Sequence, residues 1–332
     1  MPRWIYRLMF ASILIGVVLR FIWSSDMEYK EDEQYLFARS QAIGVTEAWP
    51  WVGPISGGGV RLAGMCVWVF VWLARIFRVS TPVGLVQTVM LLNSLALIVL
   101  GFIVMCVISE KEREPWAWAT ILASVNPGAV QLQRKIWNES VLPLLCIFFL
   151  WAWMRRRNQV GAFFWGFLGP IMGQIHLSGF FYSCAIFLWT FWSDRLRKES
   201  VRWGAWLFGS LLGALPMIPW VAYAFGHPED ARRQAWSGFF QFRFWSSWLL
   251  ESTGFSVSYS LGKQAFFDFL RWPVLGSIST YGILAAHILA GVAGTWILWV
   301  GVSSLRKEPA SMWWNRFKGV ESDTAKAQSA HE

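Results

Sequence analysis

Residues 1 to 37 read MPRWIYRLMFASILIGVVLRFIWSSDMEYKEDEQYLF, an apolar run with Arg3 and Arg7 at its start and five carboxylates just beyond it: Asp26, Glu28, Glu31, Asp32 and Glu33. A helix of about 20 apolar residues crosses a hydrocarbon core, and cytoplasmic flanks are enriched in Lys and Arg. The run has the basic start of a secretory leader but no clear small-residue cleavage site, so it reads as a retained first span. Arg3 and Arg7 place the N-terminus in the cytoplasm. The acidic stretch then emerges on the outer face.

Composition extends that reading to the whole chain. Of 332 residues, 55% are hydrophobic, 17% aromatic and only 15% charged, with a mean hydropathy of +0.41. Apolar residues in such excess, gathered in long runs, predict an all-α polytopic membrane protein. The net charge of +9 does not point to nucleic acid, because the basic residues fall in short clusters between apolar runs, where orientation in a bilayer accounts for them. Cys66, Cys106, Cys146 and Cys184 lie inside apolar runs with no CxxC spacing. They read as small core residues, and neither a disulfide framework nor a metal site is expected.

The basic clusters set the topology. Lys111 with Arg113, Arg155 to Arg157, Arg195 to Arg202, and Arg306 with Lys307 are all expected on the cytoplasmic side. Residues 114–154 and 158–194 must then each leave and return as hairpins. Their outer turns fall at QLQRKIWNES (131–140) and GQIHLSG (173–179). With arms of only about 14 to 18 residues, these turns should sit below the membrane surface, buried among other helices. About eight spans are predicted: 8–23, 83–108, 116–132, 139–154, 160–174, 177–192, 203–225 and 281–301. The apolar run at 60–80 breaks the parity, so it is expected as an outer juxtamembrane or re-entrant helix, with Arg61, Arg75 and Arg78 reaching the interface. Residues 1–305 form one integral membrane domain, with outer segments at 24–82 and 226–280. Residues 306–332 are a cytoplasmic tail whose polar end is expected to be disordered. An inner, plasma-membrane location with both termini cytoplasmic follows.

Four elements in order, EYKEDEQYLFARSQ, WPWVGPISGGGVRLAG, NPGAVQLQRKIWNESVLPLL and GQIHLSG, carry a resemblance. Over about residues 1–225 the chain resembles the polyprenyl-phosphate-sugar-dependent glycosyltransferases of the GT-C fold, in particular bacterial relatives of protein O-mannosyltransferases and lipid A aminoarabinose transferases. The resemblance implies a GT-C-like fold and an acidic catalytic residue in the first outer loop. The matching position is Asp32, followed by Glu33. It also implies a functional second outer turn, which maps to Arg134, Lys135, Trp137, Asn138 and Glu139. Many relatives are longer, so the acceptor, whether protein, glycan or lipid, is left open.

The chemistry of such a transfer needs few groups. A phosphate leaving group wants cations more than a general acid, and the attacking hydroxyl wants a base. Asp32 is the expected base. Glu33, about 100° around a helix from it, should play a different part. Arg134, Lys135, Arg232 and Arg233 are the phosphate candidates, because arginine's fork suits phosphate oxygens, although snorkelling to the interface is the blander use of the same residues. Trp137, Asn138, Glu139 and His176 are candidates to bind substrate. Glu139 also has the plainer option of pairing with Arg134, and His176 that of a packing residue. GPISGGG at 53–59 lacks the Lys-Ser/Thr ending of a nucleotide loop. No metal and no other cofactor is expected. A transporter or flippase for a lipid-linked sugar, or a non-catalytic subunit of a glycan-assembly complex, is the competing function. Transporters tend to show internal repeats, and none is evident here.

Overall fold

The computed structural model describes residues 1–56, 61–197, 200–227 and 263–285, with isolated positions from 288 to 303. The chain is mostly helical. In order come α1 (Arg3–Phe21), α2 (Glu31–Ala42), a hairpin of β1 (Val52–Ile55) and β2 (Arg61–Ala63), α3 (Met65–Ile76) and α4 (Pro82–Cys106). Next are α5 (Arg113–Val125), α6 (Pro127–Leu132), a 3-10 turn at Glu139–Val141, α7 (Leu142–Met154), α8 (Gln159–Ile175) and α9 (Leu177–Arg197). Beyond them lie α10 (Trp203–Ala214), a 3-10 turn at Leu215–Met217, α11 (Ile218–Gly226), α12 (Lys263–Leu270) and a short hairpin, β3 (Val274–Leu275) with β4 (Ile278–Ser279).

Local chemistry sets several of these boundaries. Thr81, Asn126 and Asn158 each accept a hydrogen bond from the backbone N–H three residues on, at 3.1, 2.9 and 2.6 Å. A side-chain acceptor there satisfies an N–H that the first helical turn leaves without an intrahelical partner. Pro82 and Pro127 follow two of these caps at the first helical position, where a missing N–H costs nothing. Asn126 and Pro127 thereby break the apolar run between α5 and α6 rather than letting it continue as one rod.

Three described segments are long and apolar enough to cross a membrane: α1, α4 and the continuous stretch Trp203–Gly226 formed by α10 and α11. The other expected spans coincide with shorter or more polar elements. The 116–132 span is divided at Pro127, and the 139–154 span opens with a 3-10 turn. Helix α8 has 17 residues, and α9 ends in the charged sequence Asp194, Arg195, Leu196, Arg197. The 281–301 span is only partly described. The 60–80 run yields α3, whose 12 residues rise about 18 Å, too little to cross.

The core forms around α3, α4, α7 and α8, where Phe70, Leu85, Met90, Phe149, Trp165 and Met172 are all essentially inaccessible. Glycine makes part of this packing possible: a Cβ on Gly166, Gly209 or Gly213 would collide with backbone atoms of the facing helix, so α8 and α10 touch along their main chains. Small residues that admit such close approach are a common basis for helix association in lipid. Of the expected core cysteines, Cys66 and partly covered Cys146 fit that role, whereas Cys106 and Cys184 are exposed. Arg75, exposed near the end of α3, is tied to the segment that follows α2. Its guanidinium donates to the Ile43 carbonyl and lies 5.6 Å from the Trp49 ring centre.

Candidate functional site

Two arginines tie the C-terminal end of α1 to the turn that follows α6. Arg20, fully buried, donates from Nε to Gln133 Oε1 at 2.7 Å and from Nη1 to the carbonyls of Gly16 and Ser124 at 2.7 and 2.9 Å. From the other side Arg134 donates to the carbonyls of Ile22 and Trp23 at 2.7 and 2.8 Å and reaches that of Leu19 at 3.5 Å. The last carbonyls of a helix have no intrahelical donors, so a cation there caps α1 and complements its dipole. Asn93 of α4 holds the same turn by donating to the carbonyls of Gln133 and Ser140. The turn is therefore fixed from two helices.

That fixation places Lys135. Its side chain is buried, paired with the Glu28 carboxylate, and its ammonium lies 4.4 Å from the centre of the Trp137 ring. Glu28 comes from the loop between α1 and α2 and also pairs with exposed Lys30. Burial pushes the Glu28 carboxyl up, but hydrogen bonds and charges from Lys135 and Lys30 outweigh it and hold the group below the ordinary glutamate range.

Between loop and turn lies a cavity of about 590 Å³. Charged groups of both signs line it: Asp26, Glu28, Lys30, Arg134 and Lys135. Leu19, Met27, Val125, Pro127 and Val130 supply an apolar wall. Asp26 is exposed there, and its carboxylate makes no ion pair or side-chain hydrogen bond among the described residues. A pocket of this size with convergent polar groups is the usual form of a small-ligand site.

No family model, curated protein or solved structure matches the chain.

The expected site residues fall into separate places. Asp32 is exposed in the first turn of α2 and is not among the cavity-lining residues. Glu33 is buried and its Oε2 accepts from the Lys30 N–H at 3.0 Å, which makes it a helix cap. Arg134 and Lys135 do line the cavity, whereas Arg232 and Arg233 lie outside the described residues. Asn138 is buried with its Oδ1 unpartnered. Glu139 pairs with His176 Nε2 at 3.1 Å rather than with Arg134, and His176 Nδ1 lies 2.9 Å from Ser178 Oγ. The second and third turns are thus joined by one carboxylate–imidazole contact. Among the described residues no group of three or more His, Cys, Asp or Glu side chains is arranged to hold a metal.

From the sequence, Asp26 and Glu28 read as surface charges at the headgroup level, and Arg20 has no assigned role. Arg20 carried a signal, since an ionisable residue inside an apolar run is a functional or structural marker by default. Asp26 and Glu28 carried none that set them apart from Glu31 and Asp32. Only the fold brings residue 28 to residue 135.

Proposed function

We propose that the chain is a membrane glycosyltransferase that moves a sugar, with inversion, from a polyprenyl-phosphate donor to a hydroxyl acceptor on the outer, periplasmic face of the plasma membrane. The observation that carries the reading is the cavity at the end of α1, which is lined by Asp26, without an ion-pair partner among the described residues, and by Lys30, Arg134 and Lys135 beside an apolar wall. The resemblance of the first loop and of the two hairpin turns to lipid-phosphate-sugar glycosyltransferases supports the same class. An acidic group, cations and an apolar surface match a lipid phosphate ester meeting a hydroxyl.

In this reaction the acceptor O–H gives its proton to a carboxylate as its oxygen attacks the anomeric carbon. The bond from that carbon to the phosphate oxygen breaks, and the electron pair leaves on polyprenyl phosphate. We assign the base to Asp26 ahead of Asp32, because Asp26 lines the cavity and is held by no cation among the described residues, whereas Asp32 is not among the cavity-lining residues. Lys135 and Lys30 stabilise the departing phosphate. Arg134, with its Nη atoms committed to the end of α1, shapes the wall and adds charge.

The test is transfer from a radiolabelled polyprenyl-phosphate sugar in membranes carrying each variant at matched abundance. Asp26→Asn should lower transfer about 100- to 10,000-fold, the usual contribution of a positioned general base. Asp32→Asn should retain most activity. The opposite pattern would move the base to α2, and full activity in both variants would remove this loop from the chemistry.

A further inference from the structure

We infer that Glu28 is a stand-in anion: its carboxylate holds Lys135 in the absence of donor and yields that cation to a lipid phosphate when one enters. The inference rests on the proposed reading and deepens it. Lys135 has a side chain only 3% exposed. An ammonium at that depth loses several kcal/mol of hydration unless an anion compensates it, so the site must contain a negative charge whether or not a substrate is present.

The two partners are held very differently. Lys135 belongs to a turn fixed by Arg20, Asn93 and Arg134, and its ammonium rests against Trp137. Glu28 belongs to the stretch between α1 and α2, outside any helix or strand, and its second partner, Lys30, is 71% exposed. Withdrawing Glu28 therefore needs movement of a loop side chain alone. Both residues line the cavity, so an incoming phosphate reaches the ammonium from the space that Glu28 already borders. The exchange preserves charge, one anion replacing another at Lys135. Glu28 then keeps Lys30 as its partner at the rim. The same exchange discharges the product: as polyprenyl phosphate leaves, Glu28 returns, and Lys135 is never left as an uncompensated buried cation.

Binding of undecaprenyl phosphate to the full chain in nanodiscs tests this, with inorganic phosphate as a parallel probe. An internal competitor that occupies the cation nine-tenths of the time weakens apparent affinity about tenfold, so Glu28→Gln should tighten undecaprenyl phosphate binding by about that factor. Inorganic phosphate should gain in the same direction but bind more weakly, since it cannot use the apolar wall. The unliganded Glu28→Gln protein should also melt below wild type and regain the difference when undecaprenyl phosphate is added. If Glu28→Gln cannot be isolated, Glu28→Asp, which keeps the charge but shortens its reach, should give the same tightening to a smaller degree. Equal or weaker binding by the variants would overturn the exchange, because a carboxylate that merely positioned Lys135 for phosphate would leave it less well placed when removed. Binding to neither wild type nor variant would overturn it as well. Tight binding with no sugar transfer by wild type would leave the exchange standing and remove the glycosyltransferase reading.

Discussion

Helix α7 follows the turn that carries Lys135 and Glu139 and ends at Met154, two residues before Arg156, and the charged groups near its two ends are used in opposite ways. At the Arg156 end the guanidinium meets Asp194 in a two-pronged pair, Nε to Oδ2 at 2.7 Å and Nη2 to Oδ1 at 2.8 Å. Both side chains are buried, Trp153 lies under the guanidinium, and the Trp153 indole N–H donates to Thr190. The Arg156 carbonyl accepts from the Arg202 N–H, so the start of α10 is tied in as well. On the side of the turn that precedes α7, where it meets the loop after α1, one glutamate serves two lysines, Asp26 has no ion-pair partner among the described residues, and a cavity opens between loop and turn. Bidentate pairing that satisfies both partners makes a joint. Incomplete pairing around a cavity leaves charge available to a ligand.

The largest effect expected from that contrast is the loss of transfer in Asp26→Asn, about 100- to 10,000-fold with little change in stability, because an exposed carboxylate without partners contributes little to folding. Asp194→Ala should do the reverse. Removing one member of a buried pair leaves an uncompensated charge and costs about 3–5 kcal/mol, which thermal unfolding in detergent would register as a large fall in Tm. Activity per folded molecule should be unchanged. A catalytic loss in Asp194→Ala at full stability would erase the distinction between the two ends.

Between these lies Arg134→Ala. It removes the donors that cap α1, so a stability loss of about 1–2 kcal/mol is expected together with weaker donor binding. Donor binding unchanged at reduced stability would make Arg134 a cap alone.

The fold was legible in the sequence where a feature was local. Apolar runs and basic clusters put α1, α4, α8 and α9 within a few residues of their expected bounds, and the odd run at 60–80 became a helix too short to cross. The break at Pro127 was harder to read, because composition alone treats a run as continuous while one proline divides it. The site was legible by segment rather than by residue. The acidic loop and the QRKIW turn do meet, but which carboxylate meets which cation depends on how α1 ends and how Arg20 and Arg134 clasp it. The resemblance also brings in Glu33 behind Asp32, whereas its place three residues after Lys30 makes it a helix cap.

A smaller effect separates the ends by pH. Glu28 is held below the ordinary glutamate value of 4.5, so its pairing adds stability above that pH and loses it as pH falls through the lowered value. Thermal unfolding followed from about pH 6 to pH 3 should show a steeper acid decline in wild type than in Glu28→Gln. Parallel curves would mean that the Glu28 pairing contributes nothing to the folded state.

The most direct measurement is photo-crosslinking of the full chain in nanodiscs with a polyprenyl phosphate carrying a diazirine beside its phosphate, followed by peptide mapping. The reaction should mark residues 24–30 and 130–135, and Asp26→Asn should leave that labelling in place while transfer is lost. Labelling confined to the Arg156–Asp194 end, or spread over the lipid-facing surfaces with no preference for the cavity, would contradict the assignment of the site.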